Sequence, residues 1–218
     1  MKIGIDGPAG SGKTTAARLL AKKLNISYLD SGATYRTLTL KALEKGVDLS
    51  DKCALRDLAA GLDLKLEGDR VYLEGEDVSS KIRTPLIDKN ISMIVSYPQV
   101  REVMVKLQRK VTEQGDFVIE GRDITTVVFP DAKYKFYLDA DPKVRAQRRY
   151  KELEEKGLGV DFDEIEKDLI RRDNADKNRK VSPLRISDDA IVIDTTGLTI
   201  EQTVDEIIKH IPSCKNKN

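Results

Sequence analysis

Short apolar runs alternate with amphipathic helical patterns along most of the chain. This alternation is typical of a parallel sheet that is flanked by helices. Two helix starts are readable: Pro98 begins an amphipathic helix that Gly115 ends, and Asp141 caps a helix that begins at Pro142. The pattern predicts these core strands: Lys2–Asp6, Ser27–Leu29, Asp116–Glu120, Tyr134–Leu138 and Ala190–Asp194.

Two segments interrupt this alternation. From Leu62 to Val78, apolar and polar residues alternate on both sides of Gly68-Asp69, which is typical of a hairpin with a two-residue loop. We therefore expect a small antiparallel insertion between the second and third core strands. From Tyr150 to Arg179 the pattern is helical and highly charged, with sparse apolar positions, which predicts a mobile helical lid.

Length and composition limit the class of protein. A chain of 218 residues suits one domain with insertions. Its 38 Lys+Arg and 37 Asp+Glu argue against a nucleic-acid binder that works by bulk charge. No apolar run approaches the roughly 20 residues of a membrane span, and the chain does not begin like a signal peptide. Cys53 and Cys214 lack any CxxC or His neighbour, so we expect neither a disulfide framework nor a zinc site, and a cytoplasmic location.

A phosphate-binding motif follows the first predicted strand. The segment from Gly7 to Thr14, the P-loop, matches GxxxxGK[ST] and precedes an apolar helical pattern. Glycines let backbone N–H groups and the helix N-terminus approach phosphate oxygens. We expect Lys13 to reach the β- and γ-phosphates and the Thr14 hydroxyl to ligate Mg²⁺. A glycine-rich turn with an incidental lysine is the alternative. The predicted phosphate contacts are Gly7, Pro8, Ala9, Gly10, Ser11, Gly12, Lys13, Thr14 and Thr15.

Further segments narrow the choice among nucleotide-binding proteins. No NKxD-type guanine signature is present, and Ser31 and Arg36 follow the second predicted strand, at the edge of the sheet where ligands bind. Five segments in order resemble the bacterial cytidylate kinases, a family of nucleoside monophosphate (NMP) kinases: DGPAGSGKTT, YLDSGATYR, EGEDVSSKIRTP, EGRDITTVVFPDA and RRDNADKNRKVSPL. The chain differs from the usual pattern of this family at Thr14-Thr15, where many relatives carry Ser-Thr. The replacement of serine by Thr14 keeps the hydroxyl.

The resemblance implies both a fold and an activity. The fold is a three-layer α/β P-loop NTPase fold with a five-stranded parallel core sheet, a small antiparallel NMP-binding insertion and a helical lid. Residues 1–218 would form a single kinase domain, with the core at 1–60 and 115–218, the insertion at about 61–114 and the lid at about 150–176. The implied reaction transfers the γ-phosphoryl group of ATP, with Mg²⁺, to CMP or dCMP, in a monomer.

The acceptor needs cations, because phosphoryl transfer depends mainly on positioning and charge neutralisation. Arg36 and Arg122 lie just beyond core strands, where an arginine fork can bind phosphate, although a surface salt bridge is an alternative for each. Asp123 has three possible roles: pairing with an arginine, capping a turn or accepting a hydrogen bond from the cytosine amino group. The resemblance implies that Ser92, Arg101 and Asp123 read the cytosine ring, while Ser31, Asp176 and Arg179 surround the sugar and phosphate.

The stretch from Arg145 to Arg179 is rich in arginine, and a solvated helix surface explains some of these residues. The arginines are Arg145, Arg148, Arg149, Arg171, Arg172 and Arg179. Arginines that a closing lid delivers would stabilise the negative charge of the transferring group, so we predict that Arg148 and Arg172 are catalytic, together with Lys13. Since no general base is required, Asp6 and Asp30 are expected to orient water around Mg²⁺ or to cap structure.

Two other classes of function remain open. The acceptor of an enzyme with this fold could be UMP, AMP or a small hydroxylated metabolite such as shikimate. The insertion argues against shikimate, and the EGRD and RRDNAD segments argue against an adenylate kinase. A P-loop sensor that uses nucleotide as a switch belongs to a different class and would show no dependence on an acceptor.

Overall fold

The computed structural model describes residues 1–155, 157 and 159–212, so Cys214 lies outside the described residues, as do Lys156 and Leu158 of the predicted lid. The strands are β1 (Lys2–Asp6), β2 (Ser27–Asp30), β3 (Leu64–Glu67), β4 (Arg70–Leu73), β5 (Glu76–Asp77), β6 (Phe117–Gly121), β7 (Tyr134–Asp139) and β8 (Ile191–Asp194). The α-helices are α1 (Lys13–Leu24), α2 (Ser31–Glu44), α3 (Lys52–Ala60), α4 (Pro85–Ser96), α5 (Pro98–Val111), α6 (Pro142–Glu155), α7 (Phe162–Asn178) and α8 (Ile200–Lys209).

Within the described residues, a five-stranded parallel sheet has the order β2-β6-β1-β7-β8 and lies between helical layers. The predicted strands are confirmed to within one residue at each end. In the β1–β7 pair, Ile3 lies beside Tyr134. Ile3, Ile5 and Phe136 are completely buried, as expected for strands that helices cover on both faces.

The chain divides into two compact units, Met1–Ile26 with Val118–Asn218 and Ser27–Phe117. The first unit contains the P-loop and the helices α6 and α7, here called the lid helices because most of the predicted lid lies on them. The second contains α2 to α5 and the three-stranded sheet β3-β4-β5. The assignment of 61–114 as the NMP-binding insertion stays a prediction.

The hairpin of the second unit has the predicted register. Glu67 pairs with Arg70 across the two-residue loop, where Gly68 adopts a φ of 57°. The short strand β5 adds an antiparallel partner to β4 that the pattern did not resolve. The helix that begins at Pro98 ends at Val111, so the prediction that Gly115 ends it is wrong. Thr112 takes the capping position there, and its hydroxyl donates to the carbonyl of Gln108.

The lid helices of the first unit are held by capping and by a small apolar cluster. Asp141 accepts a hydrogen bond from the backbone N–H of Lys143 at 2.8 Å, which confirms the predicted cap of α6. The cluster contains Ala146, Ile165 and Leu169, with Tyr150, Leu153 and Phe162 packed against it. The described part of the chain contains no helix with the length and apolar character of a bilayer span.

Candidate active site

The P-loop joins β1 to α1 in the first unit, and its backbone requires glycine. Gly7 has a φ of 152°, and a Cβ there would lie 2.1 Å from the carbonyl oxygen of Leu138. Gly12, which caps α1, has a φ of 86°. Any side chain at either position would strain the loop. The loop leads into the N-terminus of α1, where backbone N–H groups can bind an anion. The N–H of Ala9, a predicted phosphate contact, instead donates to Asp173 Oδ1 at 3.2 Å.

Lys13 is buried at the start of α1, with 4% of its surface exposed. Its Nζ donates a hydrogen bond to the carbonyl of Pro8 at 2.7 Å. Burial lowers the pKa of Lys13 to about 7, and the positive charge of Arg122 acts in the same direction, while Glu120 and Asp176 oppose the shift. The ammonium group therefore titrates near neutral pH and gains from any anion that binds beside it.

Thr14 and Glu120 place two oxygen groups beside the loop. Thr14 Oγ1 donates to Glu120 Oε1 at 2.8 Å, and Glu120, on β6, is 4% exposed. A hydroxyl and a carboxylate are the oxygen ligands that Mg²⁺ favours, so these residues fit that ion. Glu120 was not among the predicted site residues. Its place near the carboxyl end of a core strand, in the run EGRD, was the available signal.

Asp6 and Asp30 both cap structure, which was one of their two predicted roles. The Asp6 carboxylate accepts from the backbone N–H groups of Ile124 and Thr125, at 2.9 and 2.7 Å. Burial raises the pKa of Asp6. These bonds hold the π-helical turn Ile124–Val128, a type of turn that is frequent at functional sites. Asp30 caps α2 by accepting from the backbone N–H of Ala33 at 3.0 Å.

Four predicted substrate residues of the first unit form one ionic network. Arg122 Nε donates to Asp176 Oδ2 at 2.9 Å. Arg179 lies 3.5 Å from Asp176 Oδ1 and 3.7 Å from Asp123 Oδ1. Burial disfavours the charged form of Arg122, but Asp176 and Glu120 outweigh it and raise the pKa. Asp123 therefore pairs with an arginine, one of its three predicted roles.

In the second unit, Ser31 and Arg36 lie on α2. Ser31 begins the helix and is buried. Arg36 is half-buried, with its Nη2 2.6 Å from Asp88 Oδ1 and its Nη1 donating to the carbonyl of Ile82 at 3.3 Å. The guanidinium is thus held in place by fixed acceptors.

Arg101 and Ser92 of the same unit differ sharply in exposure. Arg101 on α5 is 3% exposed, donates to the carbonyl of Val95 at 3.4 Å and lies 5.4 Å from the centroid of the Tyr35 ring. A charged side chain buried in this way is unusual for a surface helix. Ser92 is exposed on α4, the position expected of a helix-surface serine.

The arginines of α6 and α7 differ in exposure. Arg148 Nη2 donates to the Thr195 carbonyl at 2.6 Å, and burial lowers the pKa of Arg148. Arg172 is about one-third exposed and lies 2.9 Å from Asp168 Oδ2. Arg171 is largely exposed, as a solvated helix surface predicts. Arg145, in contrast, is buried and pairs with Asp173. Asp173 was not among the predicted site residues, although it lies within RRDNAD.

Two solved structures share this fold. An uncharacterized protein from Eubacterium ventriosum ATCC 27560 aligns with a TM-score of 0.55 and 18% identity, covering 98% of this chain and 99% of that chain. Shikimate kinase from Bacteroides thetaiotaomicron aligns with a TM-score of 0.50 and 14% identity, covering 98% and 97%. At such low identity the likeness confirms the three-layer α/β fold and nothing finer.

Relatives in sequence match nearly the whole chain. Cytidylate kinase from Caldanaerobacter subterraneus subsp. tengcongensis is 48% identical over 211 residues, covering 97% of this chain and 94% of the relative. Cytidylate kinase from Clostridioides difficile is 44% identical over 209 residues, covering 96% and 97%. The family model for cytidylate kinase matches residues 3–213, a span that includes both the P-loop and the ionic network around Asp176. The chain therefore belongs to the cytidylate kinase family.

Proposed function

We propose that this protein transfers the γ-phosphoryl group of ATP to CMP or dCMP, giving CDP or dCDP and ADP. One observation carries the proposal beyond family membership. Thr14, next to Lys13 in the P-loop, donates to Glu120 at 2.8 Å, and Arg122, two residues after Glu120, donates to Asp176 at 2.9 Å. Hence Lys13, expected on the donor phosphates, lies in the same part of the first unit as residues expected around the acceptor. Transfer between two phosphates requires the two sites to be close.

The catalytic contribution of the chain is electrostatic. Lys13 is assigned to the β- and γ-phosphates of ATP, and Arg148 and Arg172 to the charge that spreads over the transferring group. No side chain is assigned as a general base. Water exclusion by the lid would strengthen each of these interactions.

Magnesium is part of the proposal. Thr14 would hold the ion. Glu120, which accepts a hydrogen bond from the Thr14 hydroxyl, is placed to hold it directly or through water. When bound, Mg²⁺ would neutralise charge on the β- and γ-phosphates.

CMP recognition is assigned to two groups of residues. Cations hold the phosphate, and carboxylate, guanidinium and hydroxyl groups match the amino, N3 and O2 positions of cytosine. The assigned residues are Arg36 and Arg122 for the phosphate, Ser31, Asp176 and Arg179 around the sugar and phosphate, and Ser92, Arg101 and Asp123 for the base. We propose that the enzyme acts in the cytoplasm as a monomer.

Asp123→Ala tests base recognition. Because loss of a hydrogen bond to a charged group leaves buried polar atoms unpaired, we expect kcat/KM for CMP to fall about 10- to 100-fold. ATP-analogue affinity should stay within about twofold, because Asp123 is not assigned to ATP. The matched control is Asp131→Ala, an exposed carboxylate in the same loop. Equal use of CMP and UMP by the wild type would remove the assignment.

The lowered pKa of Lys13 predicts proton uptake on ATP binding. With a pKa of about 7 in the free protein, Lys13 is mostly neutral at pH 8. Phosphate oxygens favour the charged form and raise the pKa, so ATP should bind with net proton uptake at pH 8 and less at pH 6. Calorimetry in two buffers of different ionisation enthalpy measures it. Lys13→Arg, charged throughout, should lose the uptake; unchanged uptake would contradict the account.

Coupled measurement of ADP formation with and without CMP tests the proposed activity. A kinase should form ADP only when CMP is present, with one CDP for each ADP. A P-loop sensor would hydrolyse ATP, if at all, at a rate that CMP does not change.

A further inference from the structure

Ala9 of the P-loop is in contact with both α6 and α7. Its backbone N–H donates to Asp173 Oδ1 on α7 at 3.2 Å, and its carbonyl accepts from Arg145 Nη1 on α6 at 3.0 Å. Its methyl group packs against the apolar cluster of Ala146, Ile165 and Leu169. Both hydrogen-bonding groups and the side chain of one loop residue are therefore engaged by the lid.

Arg145 and Asp173, which we name the anchor pair, are themselves fixed. Both are buried, at 6% exposure, and Arg145 Nη1 also donates to Asp173 Oδ2. Arg145 Nε donates to the carbonyl of Ala140 at 3.0 Å. Desolvation of such a pair is costly unless the remaining donors and acceptors are satisfied, and here they reach the P-loop backbone.

Helix α6 also contacts the P-loop at Gly10, the residue after Ala9. A Cβ on Gly10 would lie 3.0 Å from the Cβ of Arg145, so the loop backbone passes against α6 at this point. A one-residue shift of the lid helices would displace the anchor pair and leave buried polar groups of Ala9 without partners. The path of the P-loop and the placement of α6 and α7 are therefore coupled.

We propose that Arg145 and Asp173 are positioning residues that hold the P-loop in the shape that binds ATP phosphates and register the lid helices on it. Neither residue needs to touch a substrate. Asp173 adjoins Arg172 in the chain, so the helix segment that the anchor pair fixes also carries a proposed catalytic arginine. The inference rests on the proposed use of ATP by this P-loop.

Three variants test the anchor pair, with binding and stability measured separately. Asp173→Asn keeps the shape of the side chain and removes its charge, and Arg145→Lys keeps the charge and cannot span the same acceptors. The double variant Asp173→Val, Arg145→Met removes both charges and leaves no buried charge unpaired. It therefore replaces a single variant that fails to fold. The control is Asp205→Asn, an exposed partner of Lys23 in the same unit.

Affinity for a non-hydrolysable ATP analogue should fall about 10- to 100-fold in each folded anchor variant, the size expected when one hydrogen bond to a charged phosphate is lost. CMP affinity should fall clearly less than analogue affinity, because Ser31, Arg36 and Arg101 lie on α2 and α5 rather than on the helices that the anchor pair fixes. The control should match the wild type. Anchor variants that melt earlier yet bind the analogue normally, or that lose both nucleotides equally, would overturn the proposal. The comparison needs no turnover, so a wild type that binds ATP without phosphorylating CMP would contradict the proposed function alone.

Discussion

Lys13→Ala is expected to remove nearly all phosphoryl transfer while the protein stays folded. The ammonium group contacts the Pro8 carbonyl inside the P-loop and contributes nothing to the apolar core. Loss of one strong electrostatic donor to a developing charge costs about 2 to 4 kcal/mol of transition-state stabilisation, or about 30- to 1,000-fold in rate. Steady-state assays with saturating ATP and CMP, with a melting curve for each protein, measure both parts.

Lys22→Ala is the matched control for this experiment. Lys22 is an exposed lysine on the same helix, α1, and its loss should leave the rate unchanged. Near-normal turnover in Lys13→Ala would remove the P-loop assignment. Equal losses in both variants would point to net charge rather than to the position of Lys13.

Arg172→Ala should lower kcat about 100-fold or more and leave the equilibrium affinity for CMP little changed. In this structure Arg172 pairs with Asp168 on the surface of α7, at about one-third exposure. An interaction made mainly in the transition state lowers kcat when it is lost and affects substrate binding less. Lysine at this position should rescue only part of the rate, because a point charge cannot reproduce a two-pronged contact.

Arg171→Ala provides a close control, because Arg171 also pairs with Asp168 and is mostly exposed. We expect a wild-type rate in this variant. Protease cleavage between Tyr150 and Asp176 should also slow when an ATP analogue and CMP are both bound, with Gly157 and Gly159 more mobile without nucleotide. Equal cleavage in both states, together with a full-rate Arg172→Ala, would favour a solvated helix without catalytic function.

The core strands were predictable because buried parallel strands appear in sequence as continuous apolar runs between helical patterns. The hairpin was predictable because Gly68-Asp69 separates two alternating segments. The end of α5 was not, since a threonine hydroxyl bonding to the Gln108 carbonyl competes with the glycine signal at Gly115. Local capping chemistry of this kind leaves only a weak trace in the sequence.

Much of the candidate site was also predictable, because the P-loop is a contiguous motif with a mechanical reason for each glycine. The anchor pair was not, since Ala9 and Asp173 are 164 residues apart and only folding brings them together. Arg145 has the same sequence signal as the exposed Arg171, a basic residue in a charged helix. Burial distinguishes them, and burial depends on which helix face the rest of the chain covers.

An acceptor screen measures the proposed specificity: ATP is offered in turn with CMP, dCMP, UMP, AMP, GMP and shikimate, and both products are separated and quantified. The account predicts that CMP and dCMP give equal amounts of ADP and of the matching cytidine diphosphate. The other acceptors should react at least about 10-fold more slowly, because they leave polar groups of the base site unpaired. ADP formation without an acceptor, or preference for any acceptor other than CMP and dCMP, would contradict it.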